Sequence, residues 1–218
     1  MTDNNNDNKE SYKIRKSLHF RIDEERDYTL KEGGILFLDD EISEESCGYF
    51  CRDLIYLATG GSVFQDPNHK QPQKPIYIVL NSPGGDVFQG FAIYNFIKAF
   101  VNKGIEINII GVGNVASMAT VILQAATRRL SLPQTQFMIH QISQSSLFPE
   151  EVNMAEESVD EGKRINRIAL AIIANRIGMN LDELIASSKK KNCWYSAEAA
   201  QQLGKNGLID EIITILPF

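Results

Sequence analysis

Apolar residues along this chain follow two rhythms, and their alternation predicts the architecture. Short unbroken runs, at 35–38 (Ile-Leu-Phe-Leu), 76–80 and 105–112, have the length and composition of strands buried on both faces. Longer stretches carry apolar residues three or four apart, the spacing of one helix face. These are 43–59, with Phe50, Leu54, Ile55 and Leu57 mainly on one side, then 87–100, and then 150–177, with Ile165, Ile168, Ile172 and Ile173. A run of small residues predicts a helix over 116–126, and 137–140 reads as a short strand. Asn180 and Glu183 have the spacing of a capping box that opens a helix over 180–190. A short helix over 196–203 and a strand over 208–215 follow. The stretch 65–74 carries two prolines and reads as a loop, and no internal repeat is present.

Repeated strand–helix units predict a parallel sheet joined by right-handed crossovers. In such sheets functional residues gather where strands end and helices begin. Three junctions are singled out on that ground: 81–87, 111–118 and 140–150.

Composition narrows the class. With 43% apolar and 23% charged residues, the chain is an ordinary globular protein. Its 218 residues suffice for one domain with a full core. No segment approaches the roughly 18 uninterrupted apolar residues of a membrane span. A net charge of −6 argues against nucleic acid or an anionic membrane as the main partner, since both would repel it. Residues 1–17 read as a polar mobile tail ahead of a single domain over 18–218, and Met1 to Glu10 are too polar for a secretory signal. Three cysteines, Cys47, Cys51 and Cys193, fit a reducing compartment. Cys47 and Cys51 lie one helical turn apart, a spacing that suits a shared metal or, with no His/Cys pair nearby to complete a site, a pair of buried thiols.

The candidate chemistry lies at the three junctions. Gly111-Val112-Gly113-Asn114-Val115-Ala116-Ser117-Met118 puts a serine at a helix start, among residues small enough to let the backbone turn and a substrate approach. Free N–H groups there suit an oxyanion, and the N–H of Met118 is one candidate donor. The alternative is that Ser117 is only a helix cap. Ser82-Pro83-Gly84-Gly85-Asp86 leaves a strand through two glycines, and Gly85 is a candidate second donor, or merely part of a turn. Of the three histidines, His19, His69 and His140, only His140 stands at a strand end, where a general base for Ser117 would stand; the alternative is a structural histidine. The coincidence of the three junctions favours the catalytic reading.

Asn-Ser-Pro-Gly-Gly at 81–85, Ala-Ser-Met at 116–118 and Met-Ile-His-Gln at 138–141 resemble, in order and spacing, the signature segments of the proteolytic subunit of the Clp (caseinolytic) protease. The resemblance covers about 33–213 and includes Ser196-Ala197-Glu198-Ala199-Ala200 and Gly207-Leu208-Ile209-Asp210. It implies a crotonase-like α/β fold, a βαβ superhelical spiral with a projecting helical handle over about 141–177. It implies Ser117 as nucleophile, His140 as base, and Gly85 and Met118 as oxyanion-hole amides. It implies two stacked heptameric rings forming a tetradecamer, homomeric or with a second Clp subunit, that enclose a chamber where unfolded polypeptide is cut. An AAA+ unfoldase would use the ATP and feed substrate, while this subunit would need no cofactor. The compartment implied is a bacterial cytoplasm or an organelle stroma.

The chain departs from the family pattern at several places. Aligning Trp194-Tyr195-Ser196-Ala197 puts Asn192 where the family carries its third catalytic residue, an Asp. The family's Gly-rich handle strand is replaced by 142–148, and Val79 stands where many members carry an aromatic that helps dock the ATPase. Besides an active endopeptidase, two other classes are therefore weighed. One is a weak or silent structural subunit of a mixed ring, favoured by Asn192. The other is a crotonase-fold acyl-CoA enzyme, which would need an oxyanion hole but neither Ser117 nor His140.

Overall fold

The structure is a computed structural model that describes residues 25–60, 74–141, 152–189 and 192–218, and for 152–157 the backbone alone. The tail over 1–17, the loop over 65–73 and the handle segment 142–148 lie outside the described residues.

After a helix over 25–32 (α1), the described elements alternate. They are β1 (Ile35–Leu38), α2 (Glu44–Ala58), β2 (Ile76–Ser82), α3 (Val87–Asn102), β3 (Ile107–Ala116), α4 (Met118–Leu123), β4 (Arg128–Ser131) and β5 (Gln136–Ile139). Then come α5 (Val152–Ile177), α6 (Leu181–Ser188), β6 (Cys193–Ser196), α7 (Ala197–Gln201) and β7 (Glu211–Ile212). One sheet runs β1-β2-β3-β4-β7 with every pair parallel. This is the mixed α/β architecture with a parallel-rich sheet that the alternation predicts.

The long strand β3 explains how the sheet branches. Its first half pairs with β4, Asn108 to Gly111 against Arg128 to Ser131. Its second half pairs with β5, Asn114 to Ala116 against Gln136 to Met138. Between the two halves it bulges, with two more residues than β2 between the pairs Leu80–Gly111 and Ser82–Val115. The Asn81 side chain fills the bulge and its Oδ1 accepts the Asn114 N–H at 2.9 Å. The sequence pattern stops this strand at 112 because Gly113 and Asn114 look like turn residues. The side-chain acceptor on β2 lets the strand continue to Ala116.

Two short strands, β4 and β6, are absent from the hydrophobic pattern because Arg128, Arg129, Trp194 and Ser196 do not form apolar runs. Conversely, the strand expected over 208–215 shrinks to Glu211–Ile212. Asn180 caps α6 by accepting from the N–H groups of Asp182 and Glu183, which is one arm of the expected capping box. A complete box caps α2 instead, between Ser43 and Ser46.

The core is aliphatic: Leu54, Ile78, Leu80, Ile93, Ile107, Ile109, Ile122 and Leu123 are fully buried. Helix α5 contributes Ile165, Leu170, Ile173 and Ile177 to it, while Ile168 faces outward. Cys47 and Cys51 are buried thiols with their sulfurs 3.8 Å apart, and burial, with the neighbouring Cys47, pushes Cys51 up to about 12.

Among the described residues Arg129 is the largest fully buried side chain, and it locks the C-terminal segment to the sheet. Its guanidinium donates to the Asp210 carboxylate, to Gln124 Oε1 at 2.9 Å, and to the carbonyls of Gly207 (2.9 Å) and Asn206 (3.2 Å). Burial raises the Asp210 carboxyl, but hydrogen bonds and charge from Arg129 outweigh this and hold it below its ordinary value. Removing one partner of a buried ion pair costs about 3–5 kcal/mol. Asp210 keeps 35% side-chain exposure, so water offsets part of that loss. Arg129→Met is expected to destabilise the chain by about 3 kcal/mol in chemical denaturation. An unchanged unfolding midpoint would contradict this lock.

Candidate active site

Parallel pairing brings the three singled-out junctions together. Ala116 is the partner of Met138, so the residues that follow β3 and β5 leave the sheet side by side. The Ser117 N–H donates to the Met138 carbonyl at 2.9 Å, which extends the ladder one step. Ser82 pairs with Val115, which sets the Pro83–Asp86 turn beside the same strand end. Ser117 and His140 thus meet, with Ser117 Oγ 2.6 Å from His140 Nε2.

Ser117 stands at the helix-cap position of α4 but makes no side-chain cap bond. Its backbone has φ 56° and ψ −120°, and it is the one non-glycine residue with positive φ among those described. Such a conformation costs on the order of 1–3 kcal/mol and survives only where the surroundings enforce it. The enforcing groups are identifiable. Besides the Ser117 N–H bond, the Thr120 hydroxyl lies 2.9 Å from the Val115 carbonyl and 3.0 Å from that of Met138. Thr120 is fully buried, so these bonds do not compete with water. The result turns the Ser117 side chain away from its own helix and toward His140.

The Gly84-Gly85 turn packs against this elbow. A Cβ on Gly84 would lie 2.7 Å from the Ser117 Cβ, and one on Gly85 would collide with the Ile42 carbonyl. Gly85 also has φ 145°, a conformation that side chains rarely adopt. Ile42 straps the turn from outside: its N–H donates to Gly84 O at 2.8 Å and its carbonyl accepts from Asp86 N–H at 2.7 Å. Asp86 then caps α3 through the N–H groups of Phe88 and Gln89. Among the described residues, neither the Gly85 nor the Met118 N–H is committed to another backbone acceptor. Two donors therefore remain available next to Ser117.

His140 is half-buried, and burial alone lowers its pKa from the ordinary 6.5. A neutral imidazole can accept a proton at Nε2 if Nδ1 carries the other. No described carboxylate contributes to this shift. Asp182 is exposed and pairs with Arg167 at 3.1 Å, while Glu150 and Glu151 lie outside the described residues.

Asn192 makes no hydrogen bond to the Ser117–His140 pair among the described residues. Strand β6 runs antiparallel to β5 with Cys193 opposite Ile139, and one more step of that register puts Asn192 opposite His140. Asn192 is nevertheless exposed.

An apolar cavity of about 220 Å³ opens beside the pair, lined by Val87, Val121, Ile139, Ala169, Leu170 and Ile173 together with Gly85, Ser117, Met118 and His140. Helix α5 supplies three of these walls. Sequence patterning assigns such positions to the core, and nothing in their spacing distinguishes a core wall from a cavity wall. Thr120 and Ile42 escaped it for a similar reason: one is a polar residue in a small-residue helix, the other acts through its backbone. Among the described residues no group of three His, Cys, Asp or Glu side chains is placed to hold a metal, and no helix is long and apolar enough to cross a membrane.

The sequence matches the family described as Clp protease over residues 24–215. It is 34% identical over 185 residues to the ATP-dependent Clp protease proteolytic subunit 2 of Prochlorococcus marinus (strain MIT 9312), covering 83% of this chain and 81% of that protein. It is 31% identical over 185 residues to the ATP-dependent Clp protease proteolytic subunit of Oltmannsiellopsis viridis, covering 83% and 84%. With a serine–histidine pair at the end of a parallel sheet and a family match over nearly its whole length, the chain belongs to the Clp protease family.

Proposed function

We propose that the chain is a serine endopeptidase subunit of an ATP-dependent Clp protease, with Ser117 as nucleophile and His140 as general base. The observation that carries this is the 2.6 Å contact between Ser117 Oγ and His140 Nε2 at a strained strand–helix turn. Ser117 Oγ attacks the scissile carbonyl as its proton passes to Nε2, forming a C–O bond and an oxyanion. The N–H groups of Gly85 and Met118 donate to that oxyanion. The imidazolium returns the proton to the leaving amine, the C–N bond breaks, and water activated by the same histidine hydrolyses the acyl ester. The apolar cavity holds a substrate side chain next to the reacting carbon. An acyl-CoA enzyme of related fold would make no use of the Ser117–His140 pair, which speaks against that class.

Assembly into stacked rings and work with an AAA+ ATPase, in a cytoplasm or organelle stroma, belong to the same proposal. What supports assembly is that Tyr49, Tyr56, Phe88, Phe96 and Trp194 are exposed, aromatic residues being enriched at protein–protein interfaces. ATP would be spent by the partner, and the subunit itself needs no cofactor.

Three outcomes test the proposal. Ser117→Ala is expected to lower peptide turnover by several orders of magnitude while the far-ultraviolet circular dichroism stays unchanged. Undiminished turnover would remove Ser117 from the mechanism.

The pH profile of fluorophosphonate labelling at Ser117 follows from the depressed His140 pKa. Only neutral His140 takes the serine proton, so labelling falls with acid, and the midpoint is expected below pH 6.5. A midpoint above that value would mean that a negative charge faces the imidazole.

Asn192 supplies no such charge. One step beyond the β5–β6 ladder brings position 192 level with His140, so a carboxylate there would be the one to reach Nδ1, and a neutral amide stabilises the imidazolium poorly. Asn192→Asp is expected to raise turnover by about tenfold or more and to move the acid midpoint upward. If turnover and midpoint both stay put, another group orients His140.

A further inference from the structure

The wall of the cavity formed by Met118 is set by a residue that does not line the cavity. Gly90 lies in the first turns of α3, buried against α4. A Cβ placed on it would stand 2.1 Å from Met118 Cγ, 2.8 Å from Cε and 3.1 Å from Sδ. The whole Met118 side chain therefore lies across the bare Cα of Gly90. Glycine is disfavoured against alanine inside a helix. Gly90 does not have positive φ, so no backbone requirement explains it. Room for Met118 does.

Crowding at Cγ, near the root of the side chain, cannot be relieved by turning its tip. The first side-chain torsion of Met118 would have to change. Its backbone is fixed between the Ser117 elbow and α4, and the residue is 4% exposed within packed core. The open direction is the cavity beside Ser117, which Met118 already borders.

We propose that Gly90 is a specificity-determining residue: it draws the Met118 thioether out of the cavity and so sets the length of apolar side chain accepted next to the scissile bond. This rests on the reading of Ser117 as the peptidase nucleophile. With any larger residue at 90, Met118 folds into the cavity, and short side chains are favoured over leucine-sized ones.

The test uses peptidyl diphenyl phosphonates whose side chain at the reacting centre matches alanine, leucine or phenylalanine. Each forms a Ser117 Oγ–P bond and releases phenol, the serine proton leaving with the phenoxide through His140, so mass spectrometry of the assembled full chain reads the rate without multiple turnovers. Gly90→Ala is expected to lower the leucine-to-alanine rate ratio about tenfold or more, the scale of a lost methylene fit in an apolar pocket. Gly90→Ala combined with Met118→Ala, which keeps the backbone N–H, is expected to restore it. Met118→Ala alone, with Gly90 in place, is expected to raise the phenylalanine-to-leucine ratio, and this arm stands even if Gly90→Ala does not fold. Ratios that stay within about twofold of the unmodified chain in both single variants, Gly90→Ala and Met118→Ala, overturn the proposal. Absence of any labelling at Ser117 in the unmodified chain overturns the nucleophile assignment and this inference with it.

Discussion

The carbonyl oxygen of Met138 is the point on which the candidate site turns. It accepts the Ser117 N–H and lies within hydrogen-bond distance of the Thr120 hydroxyl, and it belongs to the residue two before His140. One backbone group thus fixes the strained serine, the helix behind it and the strand that carries the histidine. That is possible only because β3 is long enough to pair with β4 first and β5 second. The bulge around Asn81 is what gives β3 that reach, and the same bulge brings the Gly84-Gly85 turn alongside.

The electrostatics of the site follow from its walls. Apolar side chains from α3, α4, α5 and β5 line the cavity that His140 borders, and burial lowers its pKa, which favours the neutral form that a base needs. The same surroundings penalise the imidazolium that a reaction would create, and no described carboxylate offsets that penalty. A site of this kind has its geometry in place before its charge balance. Strand β6 ends beside β5 one step short of His140, and no described carboxylate there lowers or raises the histidine's pKa.

Much of this was legible in the sequence, and the limits have physical causes. Buried parallel strands are continuous apolar runs, so β1, β2 and the first half of β3 could be read directly, as could the helices with a single apolar face. The alternation then pointed to the strand ends, where Ser117, His140 and Gly85 lie together. Strands β4 and β6 were not legible because they are short and their partners, rather than their composition, define them. The end of β3 was misjudged because the Asn81 side chain does there what a backbone partner usually does. Thr120 and the strap from Ile42 depend on contacts between segments far apart in sequence, which no local pattern records.

The buried Arg129 also has a bearing on how the chain comes into being. Its guanidinium is enclosed by groups from Asn206, Gly207 and Asp210, 77 to 81 residues further along, so until those arrive only the nearby Gln124 side chain is at hand to pair with it. Until then its strand, β4, is an edge that carries an incompletely paired charge, next to the strand that delivers Ser117. The packing of the sheet beside Ser117 and the placement of residues 206–210 are therefore coupled, and that part of the fold is complete only after this long-range contact has formed.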